Sequence, residues 1–353
     1  MDDTTDIGFV EECDPWRLES RFFPSKVGGK PAWLSFKGVP DKEQLACDYC
    51  QDPCIFLCQV YAPYEESDDA FHRTIYIFIC KNPACCKENC NGNLKVIRSQ
   101  LGRVNEFYPS DPPIEEENWR PDLCIEKWSK VCEVCGISST SHCSKCKKVN
   151  YCCRTHQIWD WKKGHKQHCS SAQELHFNKD RLMTFPEFEL VIEKECEESG
   201  SHTGSDTENE LQKLDELVKS GKAGSLQADT DVDGDLLRMA SDVEDKVFSK
   251  FKKKIKSEPD QVLRYNRGGN PLFISSENQP SEIPQCENCG GDRQFEFQVM
   301  PQLLVHLQLE NILVNIDWGI LAVYTCIRSC TSQSQTKYIQ EYVWKQDIVK
   351  TNC

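Results

Sequence analysis

The chain has 353 residues, 23 of them cysteine, and a formal net charge of −14. That length gives room for two or three domains with cores of their own, so no disulfide scaffold is needed for stability, and the acid excess disfavours direct contact with nucleic acid. The opening "MDDTTDIGFV" has no charged-then-apolar leader and no apolar run approaches the roughly 18 residues of a membrane span, so a soluble intracellular chain with reduced thiols and no membrane partner is expected. Reduced cysteines in Cys-x2-Cys pairs are zinc ligands before they are anything else.

Residues 1–109 read as an N-terminal zinc-bearing β module. The stretch "GGKPAWL", Gly28 to Leu34, joins paired glycines to a proline and an apolar run, and so reads as a turn entering a strand. Cys47-x2-Cys50 follows, then the strand "IFLCQVYA", the strand "TIYIFIC" running into Cys80-x4-Cys85, and the strand "NLKVIRSQL". Each cysteine pair falls where a strand meets a turn. Cys47, Cys50, Cys80 and Cys85 therefore suit one zinc ion pinning two strand ends, in the manner of a zinc ribbon. Cys86 could replace Cys85, while Cys54, Cys58 and Cys90 are assigned to core or surface. Residues 110–127 form an acidic loop, "SDPPIEEENWRPD" at their centre.

Residues 128–170 hold the densest cluster: Cys132-x2-Cys135-x7-Cys143-x2-Cys146-x5-Cys152-x3-His156, closing with His165-x3-Cys169. Eight thiol or imidazole donors at these spacings suit two tetrahedral zinc ions, because a Cys-x2-Cys turn or an x3 spacing on a helix brings two donors to one ion. With four ligands each, neither ion keeps the open position that zinc catalysis uses. Residues 171–193 carry a strand, "FPEFELVIE", leading out of the cluster. From Glu193 to Asp245 sixteen acidic residues stand against five basic ones, so −11 of the −14 lies there. Residues 194–240, rich in Ser, Gly and Thr, are expected to be a disordered acidic linker with a fraying helix at "NELQKLDELVKS".

Residues 241–353 open with a helix, "SDVEDKVFSKFKKKIKS", whose Val243, Val247, Phe248, Phe251 and Ile255 recur at helical spacing. Its basic run "KFKKKIK" reads as the solvated face of that helix. A short helix is expected over "EPDQVLRY". The first module is then echoed in register. "GGNPLFI", Gly268 to Ile274, answers "GGKPAWL"; Cys286-x2-Cys289 is followed after eight residues by Gln298-Val299, as Cys47-x2-Cys50 is by Gln59-Val60; "GILAVYTC" runs into Cys326-x3-Cys330. Cys286, Cys289, Cys326 and Cys330 are assigned a zinc ion of their own. The spacing makes an internal repeat of about 60 residues. A single copy would leave an apolar strand face and an open edge, so the two should pack about a pseudo-two-fold axis. Trp33 should then superpose on Phe273, Gln59 on Gln298 and Cys80 on Cys326, with a mismatch where "VMPQLLVHLQLENIL" adds a helix. The strands "RQFEFQVM" and "KYIQEYVWKQD" complete the module, the second with Tyr338, Gln340, Tyr342 and Trp344 on one half-buried face. The fold class is β-rich α+β: two pseudo-repeated zinc-pinned β modules packed as one domain, a double-zinc finger and a disordered acidic linker.

The middle cluster resembles the MYND zinc finger over about Cys132 to Cys169. That resemblance implies interleaved ligands: Cys132, Cys135, Cys152 and His156 on one zinc, and Cys143, Cys146, His165 and Cys169 on the other. His156 stands where that family more often has cysteine, and Cys153, His142 and His168 are left out of the sets. Beyond the finger, "FPSKVGGKPAWL", "QVYAP", "AFHRTIYIFIC", "FPEFELVIE", "RYNRGGNPLFIS", "EFQVMPQLL", "DWGILAVYTC" and "VWKQD" resemble the programmed cell death protein 2 family, over nearly everything except the two acidic stretches. The resemblance implies a eukaryotic protein of cytoplasm and nucleus, a dedicated chaperone that keeps one newly made small-subunit ribosomal protein soluble during 40S ribosome biogenesis. It also implies that the N- and C-terminal modules make one β-rich domain, with the finger as an insertion or appendage.

A ribosomal protein is basic because it neutralises phosphates, and an acidic partner would shield it before assembly. The linker can wrap such a client, while aromatics and sheet edges hold a specific segment, for instance by strand addition. The alternative is a MYND-mediated transcriptional co-regulator scaffold that binds proline-rich peptides. Lys145, Lys147, Lys148, Arg154, Lys162, Lys163 and Lys166, with Trp159 and Trp161, are compatible with that, and the tryptophans equally with the finger's own core. MYND fingers also occur beside SET methyltransferase domains. Here there is no SET-like "NHxC" or "GxG" cofactor segment, no P-loop, no G-x-S-x-G elbow and no G-x-G-x-x-G after a strand, so no enzymatic activity is expected.

Overall fold

In the computed structural model, residues 4–169, 183–195, 246–309, 316–331 and 337–348 are described. The first two residues of the expected linker, Lys194 and Glu195, belong to the strand Phe188–Lys194 and its end; its remaining residues 196–240 with the fraying helix, the start of the lysine-rich helix and the far end of "VMPQLLVHLQLENIL" lie outside the described residues. Branched and aromatic runs form the strands, as their fit to a pleated surface requires. These are β1 (Asp6–Glu11), β2 (Lys26–Val27), β3 (Ile55–Tyr61), β4 (His72–Ile79), β5 (Leu94–Leu101), β6 (Ser141–His142), β7 (Asn150–Tyr151), β8 (Phe188–Lys194), β9 (Leu263–Tyr265), β10 (Arg293–Val299), β11 (Ile320–Cys326) and β12 (Tyr338–Gln346). Helices are short: α1 (Arg154–Asp160), α2 (Lys246–Ile255) and α3 (Leu303–His306). Among the described residues no helix is long and apolar enough to cross a membrane.

Ten strands close into one antiparallel barrel in the order β1-β8-β2-β3-β4-β5-β12-β11-β10-β9, and β6 with β7 forms a small ribbon in the finger. Closure leaves the barrel with no exposed sheet edge along its paired lengths. Two seams join the halves of the sequence: β5 to β12, and β1 to β8. The chain order around the second seam is exchanged. β1, near the start of the chain, pairs with β9 of the second half, and β8, which comes before β9 in the chain, pairs with β2 of the first half.

Contacts that span the ring show which face points inward. Arg73 on β4 reaches past β5 and β12 to Glu296 on β10 and Thr325 on β11. Ile75, Ile77 and Ile79 share its face by alternation. Strand register carries that face to Val96 and Arg98, Glu341 and Val343, Val323 and Phe297. The interior is thus aliphatic with a charged layer toward one end. Arg73 makes a two-pronged pair with Glu296 at 2.7 and 2.9 Å, and Tyr265 and Thr325 hydroxyls donate to the same carboxylate at 2.7 and 2.5 Å. Arg98 donates to Glu341 at 2.7 Å, and Arg293 and the Cys326 N–H reach its other oxygen at 3.2 and 3.0 Å. All four of Arg73, Glu296, Arg98 and Glu341 have side chains with 0% exposure.

Three local expectations are corrected. "GGKPAWL" does not enter a strand. After β2 the chain crosses the outside of the barrel, where side chains satisfy its main chain: Ala32 N–H donates to Gln59 Oε1 at 2.9 Å and Leu34 N–H to the Tyr76 hydroxyl at 2.8 Å. "EPDQVLRY" ends in β9 instead of a helix, because β1 and β10 offer Leu263–Tyr265 partners on both sides. In β12 the fully covered face is Ile339, Glu341, Val343 and Lys345; Tyr342 and Trp344 are half-buried against the cluster formed by Phe248, Phe251 and Ile255 of α2.

The two glutamines of the echo make like contacts. Gln59 accepts from the Ala32 N–H and donates to its carbonyl at 3.3 Å, while Gln298 accepts from the Leu272 N–H at 2.5 Å and donates to its carbonyl at 3.0 Å. Each glutamine follows a β-bulge, between Phe56 and Cys58 in β3 and between Phe295 and Phe297 in β10. Trp33 and Phe273 differ in cover. Trp33 is buried and donates its indole N–H to the Gly136 carbonyl of the finger at 2.7 Å, whereas Phe273 is half-buried.

Replacing Arg73 by Met would leave Glu296 charged, buried and without its main partner. A loss of about 3 to 5 kcal/mol in denaturant unfolding is expected, with much of it recovered in the Arg73→Met/Glu296→Gln double variant. Burial pushes the Glu296 carboxyl up, but Arg73, then Arg267 and Thr325, outweigh this and hold it below the ordinary range. His72 gives a pH signature. It lies 2.9 Å from the Tyr61 hydroxyl, and burial, helped by Arg103, pulls its imidazole down to about 4. The neutral ring is the folded form, so its contribution is present above the ordinary 6.5 and lost as pH falls from there toward 4. The metal-loaded His72→Gln protein should therefore lose less stability than the parent between those pH values in denaturant titrations.

Candidate metal centres

Four Cys-x2-Cys segments adopt one turn geometry. In each, the residue after the second cysteine takes positive φ: Gln51 at 63°, Gly136 at 75°, Lys147 at 58° and Gly290 at 65°. Its N–H donates to the carbonyl of the first cysteine at 2.9, 2.9, 2.9 and 2.7 Å respectively. Glycine reaches this conformation freely, but Gln51 and Lys147 adopt it at a cost, which marks a turn held by something besides its own backbone preference. The turn also aims N–H groups at sulfur. Burial pushes the Cys143 thiol up, but the N–H groups of Cys146 and Lys145, with His165, bring it down to about 6.

Four donor sets converge among the described residues, each with all donor atoms within 4.8 Å of one another: Cys47, Cys50, Cys80 and Cys85; Cys132, Cys135, Cys152 and His156; Cys143, Cys146, His165 and Cys169; Cys286, Cys289, Cys326 and Cys330. Tetrahedral zinc with Zn–S bonds near 2.3 Å and Zn–N bonds near 2.05 Å places two sulfurs about 3.8 Å apart, and a sulfur and an imidazole nitrogen about 3.5 Å apart. Cys50–Cys80, Cys135–Cys152 and Cys289–Cys326 are 3.6 Å apart, and Cys143–Cys169 and Cys286–Cys330 are 3.7 Å apart. Cys146 Sγ lies 3.5 Å from His165 Nε2 and Cys132 Sγ lies 3.6 Å from His156 Nδ1. These spacings suit a shared ion and are far from the roughly 2.05 Å of a disulfide. The four clusters fit zinc.

Barrel and finger position these donors differently. In the outer centres a turn supplies two sulfurs, and the ends of β4 and β11 supply Cys80 and Cys326, so each ion would tie a turn to a barrel strand. In the finger, α1 presents His156 one turn from Cys152, and the π-turn Trp161–His165 followed by the last helical turn Lys166–His168 delivers His165 and Cys169 to the second set. Tyr151 donates to Asp160 at 2.7 Å, bracing β7 against the end of α1. The finger is seated on the barrel through Trp33 to Gly136, Ser138 N–H to Pro40 O at 2.9 Å and Ser129 Oγ to Phe36 O at 2.6 Å.

Neighbouring thiols stay outside the sets. Cys85, not Cys86, joins the first; Cys86 lies 3.7 Å from Asn93 Nδ2. Cys54 and Cys58 are buried, with burial holding their thiols protonated. Cys153, His142 and His168 also fall outside. What spacing did not reveal was the inward charged layer, because single arginines and glutamates in strands carry no local signal.

A closed barrel with four such clusters and a seated MYND-type finger defines a zinc-finger protein of the kind that contacts other proteins. Residues 4–115 match the programmed cell death protein 2 N-terminal domain, residues 245–347 the programmed cell death protein 2 C-terminal putative domain, and residues 132–169 the MYND finger. Among relatives, programmed cell death protein 2 of Rattus norvegicus is 44% identical over 354 residues, covering 99% of this chain and 98% of its own, and that of Mus musculus is 44% identical over 356 residues, covering 98% and 97%. The "Probable 20S rRNA accumulation protein 4" of Schizosaccharomyces pombe is 24% identical over 381 residues, covering 90% of this chain and 91% of its own. No solved structure matches. The chain belongs to the programmed cell death protein 2 family.

The geometry separates adjacent thiols. Cys152→Ser and Cys85→Ser should each release metal to a chromogenic chelator under native conditions, whereas Cys153→Ser and Cys86→Ser should retain it at the parental level. Loss of a finger ion removes on the order of 10 kcal/mol from a module this small. Its amide hydrogens should then exchange at rates near those of unfolded chain.

Proposed function

We propose that this protein is a non-enzymatic chaperone or adaptor for a newly made, basic small-subunit ribosomal protein, acting in 40S ribosome biogenesis in cytoplasm and nucleus. The observation that carries this reading is the similarity, along nine-tenths of the chain, to a protein named for 20S rRNA accumulation. The net charge of −14 agrees with a basic client. In this reading the sixteen clustered residues hold four zinc ions, two in the finger and one at each outer centre. The N- and C-terminal modules are two copies of one unit, supported by the paired glutamine contacts, the paired bulges and the exchange of β1 and β8. The acidic residues 194–240 contribute counter-charge to the client.

The co-regulator reading has less support. Trp159 and Trp161, the side chains that would form a peptide platform on the finger, are half-buried against the main core, and Ile158 is the exposed large apolar residue of α1.

Tagged protein should be captured from extract cleared of ribosomes and its partners identified by mass spectrometry. One basic ribosomal protein should dominate, and its recovery should fall with added salt, since exposed charges are screened beyond about 8 Å at physiological ionic strength. Deleting residues 199–240 should flatten that salt dependence with metal content unchanged. Recovery dominated by transcriptional repressors would replace this reading with the second, and a purified protein holding two zinc ions would remove the outer centres.

A further inference from the structure

β2 is only two residues long, and the barrel wall is incomplete beyond it. The Glu195 N–H donates to the Thr5 carbonyl, so the odd residues of β8 bond to β1 and the even ones turn their main chain to the other side. There Leu190 N–H donates to Ser25 O at 3.0 Å, but the N–H and C=O of Ile192 find no partner among the described residues. The chain has left the wall at this point. Pro24 has no N–H, and Phe23 has a φ of 50°, which swings the preceding segment outward. On the other side of the seam the corresponding row is filled: Leu263 pairs with Gly8 of β1, and Val262 N–H donates to the Gly8 carbonyl at 2.8 Å. A cavity of about 520 Å³ occupies the gap between β8 and β3.

The lining of this slot is selective. Asp6, Glu115 and Glu189 supply three carboxylates against the single guanidinium of Arg17, which is shared between Glu115 at 3.3 Å and Glu189 at 3.5 Å. Along the seam Asp6 stands opposite Lys194, and Glu189 stands between Glu11 of β1 and Lys26 of β2. Trp16, Tyr61 and Tyr265 also line the slot, and Arg17 already lies over the Trp16 ring at 5.9 Å, the kind of contact an incoming cationic side chain can make. An acidic segment would be repelled.

We infer that the slot between β8 and β3 takes an extended, arginine- or lysine-bearing segment of a partner protein as an added strand, hydrogen-bonded to Ile192 of β8. This rests on the reading of the partner as a basic protein and supplies the place where it is held. The added strand pairs mainly on its β8 side, because on the β3 side Tyr61 N–H is already bonded by Ser25 Oγ at 2.9 Å.

The test uses the zinc-loaded full chain and fluorescein-labelled synthetic peptides of about seven residues, a usual strand length, read by fluorescence anisotropy. An alternating Arg-Val peptide should bind about tenfold or more tightly than an alternating Glu-Val peptide, and the Glu115→Lys/Glu189→Lys protein should lose about the same factor for Arg-Val. N-methylation of the amides along one edge of the Arg-Val peptide should weaken binding by about fivefold or more, and along the other edge should leave it unchanged. The methylated peptides need no altered protein, so they decide the matter even if the charge-reversed chain misfolds. Equal binding of the acidic peptide, indifference to charge reversal in a folded variant, or equal effects of methylation on both edges would overturn the slot. None of these outcomes touches the capture experiment, which reads who the client is and not where it sits.

Discussion

Arg73 and Glu296 are 223 residues apart, on strands that are not neighbours in the ring, and both are sealed from solvent. A charge so placed must be paired, because the desolvation of a lone one outweighs most of what packing returns. The pair therefore admits one relative placement of the two halves. Arg98 with Glu341 does the same at the β5–β12 seam. With that placement set, the aliphatic strand faces meet inside a closed ring, and β1 and β8 must cross over to complete it.

The metal centres depend on this ring more than their local spacing suggests. Cys-x2-Cys turns form from nearby residues, but the third donor of each outer set comes from the end of β4 or β11, and those ends are placed by the barrel. The influence is mutual, since an ion at each centre would hold its turn against the strand and cap the sheet where it would otherwise fray. The finger is more self-contained. Its two donor sets come from a single short stretch, and it meets the barrel through an apolar cluster shared by Val134 and Ile137 with Trp33 and through a few directional contacts, of which the Trp33 indole to Gly136 is buried. That bond explains why the segment after Gly28 runs across the outside of the barrel as an irregular loop: it forms the seat for the finger.

The two halves of the barrel make like glutamine contacts but differ at their edges, and that asymmetry is where a binding site can arise. Among the described residues the first half has a short β2 and a β8 edge unpaired at Ile192, while the second half has its apolar wall covered by Phe248, Phe251 and Ile255, and Val262 and Leu263 cover the edge of β1. The open edge lies among carboxylates in a chain that is acidic as a whole. Charge at long range and main-chain pairing at short range would then act on the same partner segment, the first to attract it and the second to select an extended conformation.

The four clusters of Cys and His donors that fit zinc were legible in the sequence, because Cys-x2-Cys and Cys-x3-His spacings are dictated by the reach of a few backbone bonds to one ion. The echo of "GGKPAWL" in "GGNPLFI" and the strands β3, β4, β5, β10, β11 and β12 were legible too, since β-branched and aromatic runs bounded by turn residues carry their own local signal. Not legible were β2 and β9, too short to show a pattern, or the pairing of β1 with β9 and of β8 with β2. The Arg73–Glu296 pair could not be read either: an arginine within "AFHRTIYIFIC" and a glutamate within "RQFEFQVM" look like ordinary polar positions of half-exposed strands. Local spacing determines which atoms can share an ion. Which strands face each other, which charges are buried together and which edge is left open depend on contacts hundreds of residues apart, and only closure of the barrel decided them.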